Sequence, residues 1–211
     1  MPDLVALERL KAARVIAVIR APAPELALAA VNALVEGGLR AVEVTHSTPE
    51  VGRVIAEIAR EHGPEVVVGA GTVRHASEVA SAVCAGARFI VSPGIDAAVI
   101  KATKQTNALA IPGALTASEI MRAHALEADA IKLFPASLGG PGLLRALREP
   151  FPDLSFLPTG GVTVDNIADW FAAGATAVAA GTSLCSRDDI VARRFDAIRD
   201  QAAQFMEACG R

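Results

Sequence analysis

One lysine of the sequence stands where its amine could act as a nucleophile. Lys132 lies between Ile131 and Leu133 in the short apolar run 129–134. Neighbouring side chains of a strand point to opposite faces, so the two aliphatic residues would pack on one face and the lysine would lie on the other. Burial removes water from an ammonium group and favours the neutral amine, which attacks a carbonyl carbon to form a Schiff base. The alternative is a lysine at a strand end whose stem is covered and whose ammonium reaches water.

A glutamate has the same placement in a second apolar run. Glu43 lies between Val42 and Val44 in the run 41–45, so its carboxylate would leave the face on which the valines pack. If both runs enclose one interior, Glu43 and Lys132 face the same space. A carboxylate beside an imine-forming lysine can move protons to and from a substrate. The alternative is a plain ion pair, although a buried ion pair adds little stability and is more typical of a tuned site.

Two glycine turns end the last two apolar runs. They are Thr159-Gly160-Gly161 and Gly181-Thr182. Glycine lets the backbone approach an anion and expose its N–H groups, and the two threonines can add hydroxyl donors. The turns therefore predict a phosphate site, with ordinary turn glycines as the alternative.

An arginine ends the first apolar run. A guanidinium at the position of Arg20 can hold a carboxylate through two parallel hydrogen bonds, and the alternative is an exposed surface arginine. We expect Arg20 and the glycine turns on opposite sides of Lys132. Thr72 follows the third run, and Ser92 and Pro93 end the fourth. These three residues are predicted to line the site, whereas His46 fits an exposed loop equally well.

The elements that must position these residues repeat along the chain. Apolar runs start about every 20 to 26 residues, as βα units with short loops require, at 15–20, 41–45, 66–71, 88–93, 108–113, 129–134, 155–161 and 176–182. Between them, stretches such as 24–38 and 50–63 carry apolar residues at helical spacing. Eight such units predict a (β/α)8 TIM barrel, an α/β fold, as a single domain over residues 1–211 with a capping helix from Leu4 to Ala13. An open doubly wound sheet is the competing architecture.

Composition excludes several classes of protein. The chain has 211 residues, 52% of them hydrophobic, and a net charge of −3 with basic and acidic residues interspersed, which argues against disorder and against nucleic acid as a partner. The longest uncharged stretch, 170–186, is interrupted by Gly and Thr residues, so no membrane span is expected. Charged residues near the N-terminus leave no room for a signal peptide, which predicts a cytoplasmic protein.

Metal and cofactor sites are also not expected. The sequence has three cysteines without CxxC spacing and four histidines without an HxxxH or HxH pair, which predicts reduced thiols and no metal site. Its GAG at 69–71 lacks the third glycine of a dinucleotide fingerprint, so nothing supports NAD.

Seven motifs together resemble one enzyme family. They are AVEVT at 41–45, GAGT at 69–72, SPG at 92–94, IPG at 111–113, KLFPA at 132–136, PTGG at 158–161 and GTSL at 181–184. The chain resembles, over essentially its whole length, the 2-keto-3-deoxy-6-phosphogluconate (KDPG) and 4-hydroxy-2-oxoglutarate (KHG) aldolases. The resemblance implies that Lys132 forms the Schiff base and that Glu43 is the general acid/base. It places Thr159, Gly160, Gly161 and Thr182 around the phosphate, and Thr72, Pro93 and Phe134 at the pyruvyl end.

One position departs from part of the family. Some members carry an arginine shortly after the glutamate to bind the substrate carboxylate, where this chain has Ser47 in EVTHST; others place it at the end of the first strand, as Arg20 is placed here. The resemblance further implies a metal-independent homotrimer acting on a phosphorylated keto acid. The galactonate epimer and 4-hydroxy-2-oxoglutarate stay open as substrates. A phosphosugar isomerase or synthase, and a phosphometabolite-binding barrel, are the alternatives of other classes.

Overall fold

Eight parallel strands alternate with helices along the chain in the computed structural model, which describes residues 4–63 and 65–210. The strands are β1 Val15–Ile19, β2 Ala41–Thr45, β3 Val67–Gly71, β4 Phe89–Ser92, β5 Leu109–Ala114, β6 Ile131–Leu133, β7 Phe156–Pro158 and β8 Val178–Ala180. Each lies within one of the predicted apolar runs or overlaps it almost completely, so the eight predicted strands are confirmed. Strands β6, β7 and β8 are shorter than their runs, and Gly160-Gly161 and Gly181-Thr182, which end the last two runs, lie in loops.

Helices follow the strands and cover the outside of the sheet. They are α1 Leu4–Ala13, α2 Pro24–Glu36, α3 Val51–His62, α4 Ala76–Cys84, α5 Ala97–Lys104, α6 Ala117–Ala125, α7 Gly140–Arg148, α8 Ile167–Ala172, α9 Arg187–Val191 and α10 Phe195–Ala208, with a short 3-10 helix at Ala136–Leu138. Local sequence sets several boundaries. Pro24 opens α2 and Gly37 follows its end, while the Thr116 hydroxyl accepts a hydrogen bond from the Glu119 amide at the start of α6.

The strands close into a barrel. Their order is β7-β6-β5-β4-β3-β2-β1-β8, and a bridge between Thr159 and Ala179 brings β7 beside β8. Sequential neighbours pair throughout, with no point at which the strand order reverses. The predicted single-domain TIM barrel is therefore confirmed and the open doubly wound alternative is wrong.

Side-chain alternation along the strands separates an outer core from an inner one. Ile131 and Leu133 belong to the cluster between sheet and helices, as do Val42 and Val44. The residue between each pair, Lys132 or Glu43, consequently points inward, as the sequence predicts.

Helix α1 closes the N-terminal end of the barrel. Its Ala6 and Leu10 are buried in one cluster with Ile16 and Phe89 from the strands. The Phe89 ring occupies the space that a Cβ on Gly69 would need, so this glycine makes room for the largest inner side chain. The predicted capping helix is confirmed.

The described part of the chain contains no helix that is long and apolar enough to cross a bilayer. The predicted extent of the domain, 1–211, includes residues 1–3, 64 and 211, which lie outside the described residues. Those limits stay a prediction.

Candidate active site

A cavity of about 540 Å³ opens at the C-terminal ends of the strands. All eleven residues predicted for the site line it. They are Arg20, Glu43, Thr72, Pro93, Lys132, Phe134, Thr159, Gly160, Gly161, Gly181 and Thr182. Two other residues weighed in the sequence do not: His46 donates its amide to the Gly71 carbonyl, and Ser92 donates its hydroxyl to the Gly94 carbonyl.

Lys132 and Glu43 meet inside this cavity. Lys132 Nζ lies 3.8 Å from Glu43 Oε1, and the two side chains are 9% and 2% exposed. The distance is within ion-pair range but beyond hydrogen-bond range, and no described residue hydrogen-bonds to either atom. The Phe134 ring centroid is 5.1 Å from the same nitrogen. Both functional groups are therefore held close together yet remain available to a third molecule.

Burial shapes the chemistry of the Glu43 carboxyl. Loss of water raises the pKa of Glu43 above its ordinary value, and the charges of Lys132 and Arg20 oppose that rise. Gly71 on β3 makes the placement possible, because a Cβ at Gly71 would overlap the carboxylate. A carboxyl with a raised pKa next to an amine is suited to both donating and accepting a proton.

A chain of hydrogen bonds fixes the Arg20 guanidinium. Arg20 Nη1 donates to Ser47 Oγ at 2.9 Å, and Ser47 Oγ lies 2.8 Å from Thr45 Oγ1. Thr45 Oγ1 in turn donates to the Ile19 carbonyl at 3.0 Å. Since the Thr45 proton is used there, Ser47 donates to Thr45 and accepts from Arg20. The Ser47 hydroxyl thus turns the Arg20 guanidinium toward the β2–α3 loop.

The sheet order corrects the expected position of Arg20. Strand β1 pairs directly with β8, with Ala17 opposite Ala180. Arg20 therefore lies next to the Gly181 turn rather than across the barrel from it, and the prediction of opposite sides is wrong. Sequence alone could not show this, because β1 and β8 become neighbours only when the barrel closes.

The two glycine turns form a cup of unpaired amides. Gly160 and Gly161 have φ of +89° and +84°, which glycine adopts without strain. Within the described residues, no group accepts a hydrogen bond from the amides of Gly160, Gly161, Thr182 or Ser183. Four free N–H groups on the cavity wall can bind an anion such as phosphate.

The two threonines of the cup differ in their hydroxyl groups. Thr159 is 7% exposed and its hydroxyl already donates to the Leu157 carbonyl at 3.2 Å. Thr182 is exposed, and its hydroxyl makes no hydrogen bond to a described residue. The predicted donor role therefore suits Thr182, whereas Thr159 contributes wall and backbone.

Neighbouring side chains hold the turns in place. Ser183 Oγ donates to the Val162 carbonyl at 2.6 Å and so joins the β8 loop to the β7 loop. Asn166 Nδ2 donates to the Gly161 carbonyl, and Asn166 Oδ1 accepts from the Thr163 amide. The cup is thus formed before any ligand arrives, which lowers the entropic cost of binding.

Comparison with known proteins agrees with this geometry. The sequence profile described as KDPG and KHG aldolase matches residues 6–201. The chain belongs to the KDPG and KHG aldolase family. It is accordingly a class I aldolase, a lyase that cleaves carbon–carbon bonds.

Individual relatives cover nearly all of the chain. A 2-dehydro-3-deoxy-phosphogluconate aldolase of Treponema pallidum is 34% identical over 96% of this chain and 97% of its own length. A 2-dehydro-3-deoxy-6-phosphogalactonate aldolase of Escherichia coli is also 34% identical, over 92% of this chain and 93% of its own. The crystal structure of a KDPG aldolase from Legionella pneumophila, which holds pyruvate as a covalent carbinolamine, has a TM-score of 0.86 and 30% identity, covering 94% of this chain and 96% of that one.

Backbone strain positions one lining residue of this aldolase. Thr72 has a φ of +56°, which is rare for a β-branched residue and concentrates at functional sites. On the adjacent wall, a Cβ at Gly113 would overlap the Pro93 carbonyl, so this glycine lets the Pro93 backbone come close. Both features bring Thr72 and Pro93 to the cavity.

Sequence reasoning missed part of the aldolase cavity. The further lining residues are Val18, Val162, Thr163, Ala179, Ala180, Ser183, Cys185 and Arg187. Burial raises the pKa of the Cys185 thiol to about 12, so it stays protonated and is no competing nucleophile. The signal for Arg187 was present, since a basic residue follows the GTSL turn within a few positions.

The described residues of this aldolase bring together no group of three His, Cys, Asp or Glu side chains that could hold a metal ion. The carboxyl of Glu43 stands beside a lysine instead. The ionisable pair at the centre of the cavity is the amine of Lys132 and the carboxyl group of Glu43.

Proposed function

We propose that this aldolase cleaves 2-keto-3-deoxy-6-phosphogluconate into pyruvate and glyceraldehyde 3-phosphate through a Schiff base, without a metal or a cofactor. The observation that carries the proposal is the buried pair of Lys132 Nζ and Glu43 Oε1 at 3.8 Å inside a cavity with an arginine and an amide cup on its wall. The substrate has a reactive ketone, a carboxylate and a phosphate, and the cavity offers a group for each.

Imine formation is the first chemical stage. The neutral amine of Lys132 attacks the C2 ketone, and a proton reaches the former carbonyl oxygen to give a carbinolamine. Glu43 then delivers a proton to the hydroxyl, water leaves, and a protonated imine remains. The positive nitrogen acts as an electron sink for the next stage.

Cleavage of the C3–C4 bond follows. A base takes the proton of the C4 hydroxyl, and the C4–O bond becomes the carbonyl of the aldehyde. The C3–C4 electrons form a C2=C3 double bond while the C2=N electrons move to nitrogen, which gives a neutral enamine. The aldehyde departs, C3 is protonated, and water hydrolyses the imine to pyruvate and free Lys132. Arg20 on the carboxylate and the amide cup on the phosphate supply remote binding energy that positions C2 near Nζ.

Borohydride trapping tests the covalent step. Added with pyruvate, borohydride should reduce the imine and fix a pyruvyl adduct on Lys132, seen by peptide mass. Lys101 and Lys104 of α5 are internal controls, since Lys101 is exposed and Lys104 pairs with Asp129. An adduct only on those lysines, or none at all, would overturn the mechanism. Lys132→Arg should fold and be inactive, because a guanidinium stays charged.

Chelation tests the absence of a metal. Activity should survive exhaustive EDTA treatment, because Lys132 itself supplies the electron sink. A loss of activity that Zn²⁺ or Mg²⁺ restores would place the catalysis in a metal-dependent class.

A second substrate has support from the relatives. The galactonate epimer differs from the proposed substrate at C4, and a phosphogalactonate aldolase is as identical to this chain as a phosphogluconate aldolase. Values of kcat/KM for both epimers and for 4-hydroxy-2-oxoglutarate decide the ranking. A phosphosugar isomerase or synthase, or a phosphometabolite-binding barrel, would use the cup without forming an imine, so trapping separates these classes as well.

We further propose that the enzyme is a cytoplasmic homotrimer, as membership of the family implies. Light scattering should then give a mass three times the 21.7 kDa of one chain. A mass equal to that of one or two chains would refute the trimer.

A further inference from the structure

The substrate has a carboxylate and a phosphate, and Arg20 with the uncharged amide cup does not supply enough positive charge to balance both. A further basic residue of the cavity is needed. Among the lining residues the basic side chains are Arg20, Lys132 and Arg187, and Glu43 is the only acidic one. The amide cup is uncharged, whereas a phosphate monoester carries close to two negative charges at neutral pH. Lys132 is the nucleophile for the C2 ketone, which leaves the two arginines for the carboxylate and the phosphate of the substrate.

Arg20 is already committed to one part of the cavity. Its hydrogen bond to Ser47 holds the guanidinium toward the β2–α3 loop, and its charge acts on Glu43. That location suits the carboxylate of the substrate, which adjoins the C2 carbon that Lys132 attacks. Although β1 lies beside β8, this hydrogen bond turns the Arg20 guanidinium away from the neighbouring Gly181 turn and toward Glu43, so we assign Arg20 to the reacting end of the substrate.

Arg187 has no hydrogen-bond or ion-pair partner for its side chain among the described residues. It is the first residue of α9, it follows the cup residues Thr182 and Ser183 along the chain, and it lines the same cavity. Within the described residues it makes no hydrogen bond or ion pair, while the neighbouring Asp189 is engaged by Ser186 and Arg194. An arginine with five free donors at the rim of a cup of free amides is equipped to take an oxyanion.

We propose that Arg187 binds the phosphate of the substrate and sets the preference of this enzyme for phosphorylated over unphosphorylated 2-keto acids. The inference rests on the proposed aldolase function for its substrate. Arg187 adds to the neutral amides the charge that they lack, and it contacts the part of the substrate farthest from the bond that breaks. Its effect therefore falls on recognition of one class of substrate and not on the chemical step.

Two substrates that differ in the phosphate test the assignment. For Arg187→Gln we expect kcat/KM on 2-keto-3-deoxy-6-phosphogluconate to fall about tenfold or more, because a hydrogen bond to a charged group is lost. We expect kcat/KM on 4-hydroxy-2-oxoglutarate to stay within about twofold. Arg187→Lys should recover part of the loss, since it restores the charge without the fork. Arg122→Gln, at an exposed arginine of α6 outside the cavity lining, should leave both values unchanged.

Binding of inorganic phosphate provides a readout that does not depend on turnover. Calorimetry should show a Kd for inorganic phosphate about tenfold weaker in Arg187→Gln than in the unmodified enzyme. If the unmodified enzyme cleaves none of the keto acids but this difference persists, the proposed substrate is wrong and the Arg187 assignment stands. Equal losses on both substrates, no loss on the phosphorylated one, or a loss of phosphate selectivity in Arg20→Gln instead would overturn the assignment of Arg187.

Discussion

The two ends of the barrel interior are built by the same strands and carry opposite kinds of side chain. On β1 the inward positions run from Ile16 at the N-terminal end to Arg20 just past the C-terminal end. On β2, Ala41 precedes Glu43 by two positions. One inward position on β2 and two on β1 thus separate a packing residue from a charged residue of the cavity.

The N-terminal end of the barrel, which α1 closes, stabilises the fold. The C-terminal end, which holds the cavity and is open, contains a group that destabilises it. Leu10, Ile16 and Phe89 are almost completely buried and fill the lower barrel. At the mouth, Glu43 Oε1 is buried without a hydrogen bond, a condition that costs free energy in folding. The division lets an unfavourable but reactive arrangement persist, because a separate layer of the same barrel holds the strands.

The largest expected effect lies at the open end. Glu43→Gln keeps the shape of the side chain but removes proton transfer, which should lower kcat by about 10²- to 10⁴-fold. Burial raises the pKa of Glu43, so its carboxylate is lost at higher pH than in an exposed glutamate as the medium is acidified. An ordinary glutamate has a pKa of about 4.3, so the fall of kcat/KM on acidification should occur at a higher pH than that. This fall should disappear in Glu43→Gln. A variant within tenfold of the unmodified enzyme would remove Glu43 from the mechanism.

The closed end should respond in stability. Phe89→Ala removes a fully buried ring and should lower the free energy of unfolding by about 3–5 kcal/mol, measured by denaturant titration. The activity of the remaining folded protein, at a temperature well below its Tm, should stay close to that of the unmodified enzyme. A catalytic loss larger than the fraction unfolded would show that the two ends are not separate.

A smaller effect should distinguish parts within the open end. Thr182→Val deletes a free hydroxyl of the cup and should cost about 1.5–3 kcal/mol in kcat/KM on the phosphorylated substrate. The same variant should have little effect on 4-hydroxy-2-oxoglutarate, which lacks a phosphate. Thr159→Val serves as the matched control, because the Thr159 hydroxyl already donates to the Leu157 carbonyl. Equal losses for both variants would refute the difference between these threonines.

The smallest expected effect concerns Ser47. Ser47→Ala removes the hydrogen bond that orients Arg20 and should weaken the binding free energy of both substrates by about 0.5–1.5 kcal/mol. KM should rise accordingly, with kcat nearly unchanged. Ser47→Thr, which retains a hydroxyl, should recover most of the loss. If kcat fell instead while KM stayed constant, Ser47 would act on the reacting groups and not through Arg20.

Periodicity was sufficient to predict the strands and the inward position of Lys132 and Glu43. Ile131 and Leu133 flank the lysine, and Val42 and Val44 flank the glutamate, so alternation alone determines where the charged side chains point. The N-terminal helix also followed from its own pattern. These features depend on residues that are close in sequence.

Contacts between distant segments could not be predicted in the same way. The Arg20–Ser47 bond spans 27 positions, and the Ser183–Val162 bond spans 21. The neighbouring positions of β1 and β8 arise only on closure, which is why Arg20 was expected on the wrong side. The role of Gly71 was hidden for a similar reason, since its missing side chain matters only because Glu43 comes from another strand.

Because α1 closes the N-terminal end of the barrel, it affects the order in which substrate and products enter and leave. Leu10 and its buried neighbours fill the N-terminal end of the barrel, and the cavity that holds Lys132 opens at the other end. In the proposed mechanism the three-carbon fragment is attached to Lys132, whose side chain is 9% exposed, and the phosphate is bound at the turn of the exposed Thr182. The aldehyde leaves first, because the three-carbon enamine is still covalently bound to Lys132. A second aldehyde can then enter the cavity before the enamine is protonated. In the reverse, bond-forming direction, the product therefore depends on which aldehyde enters the cavity next.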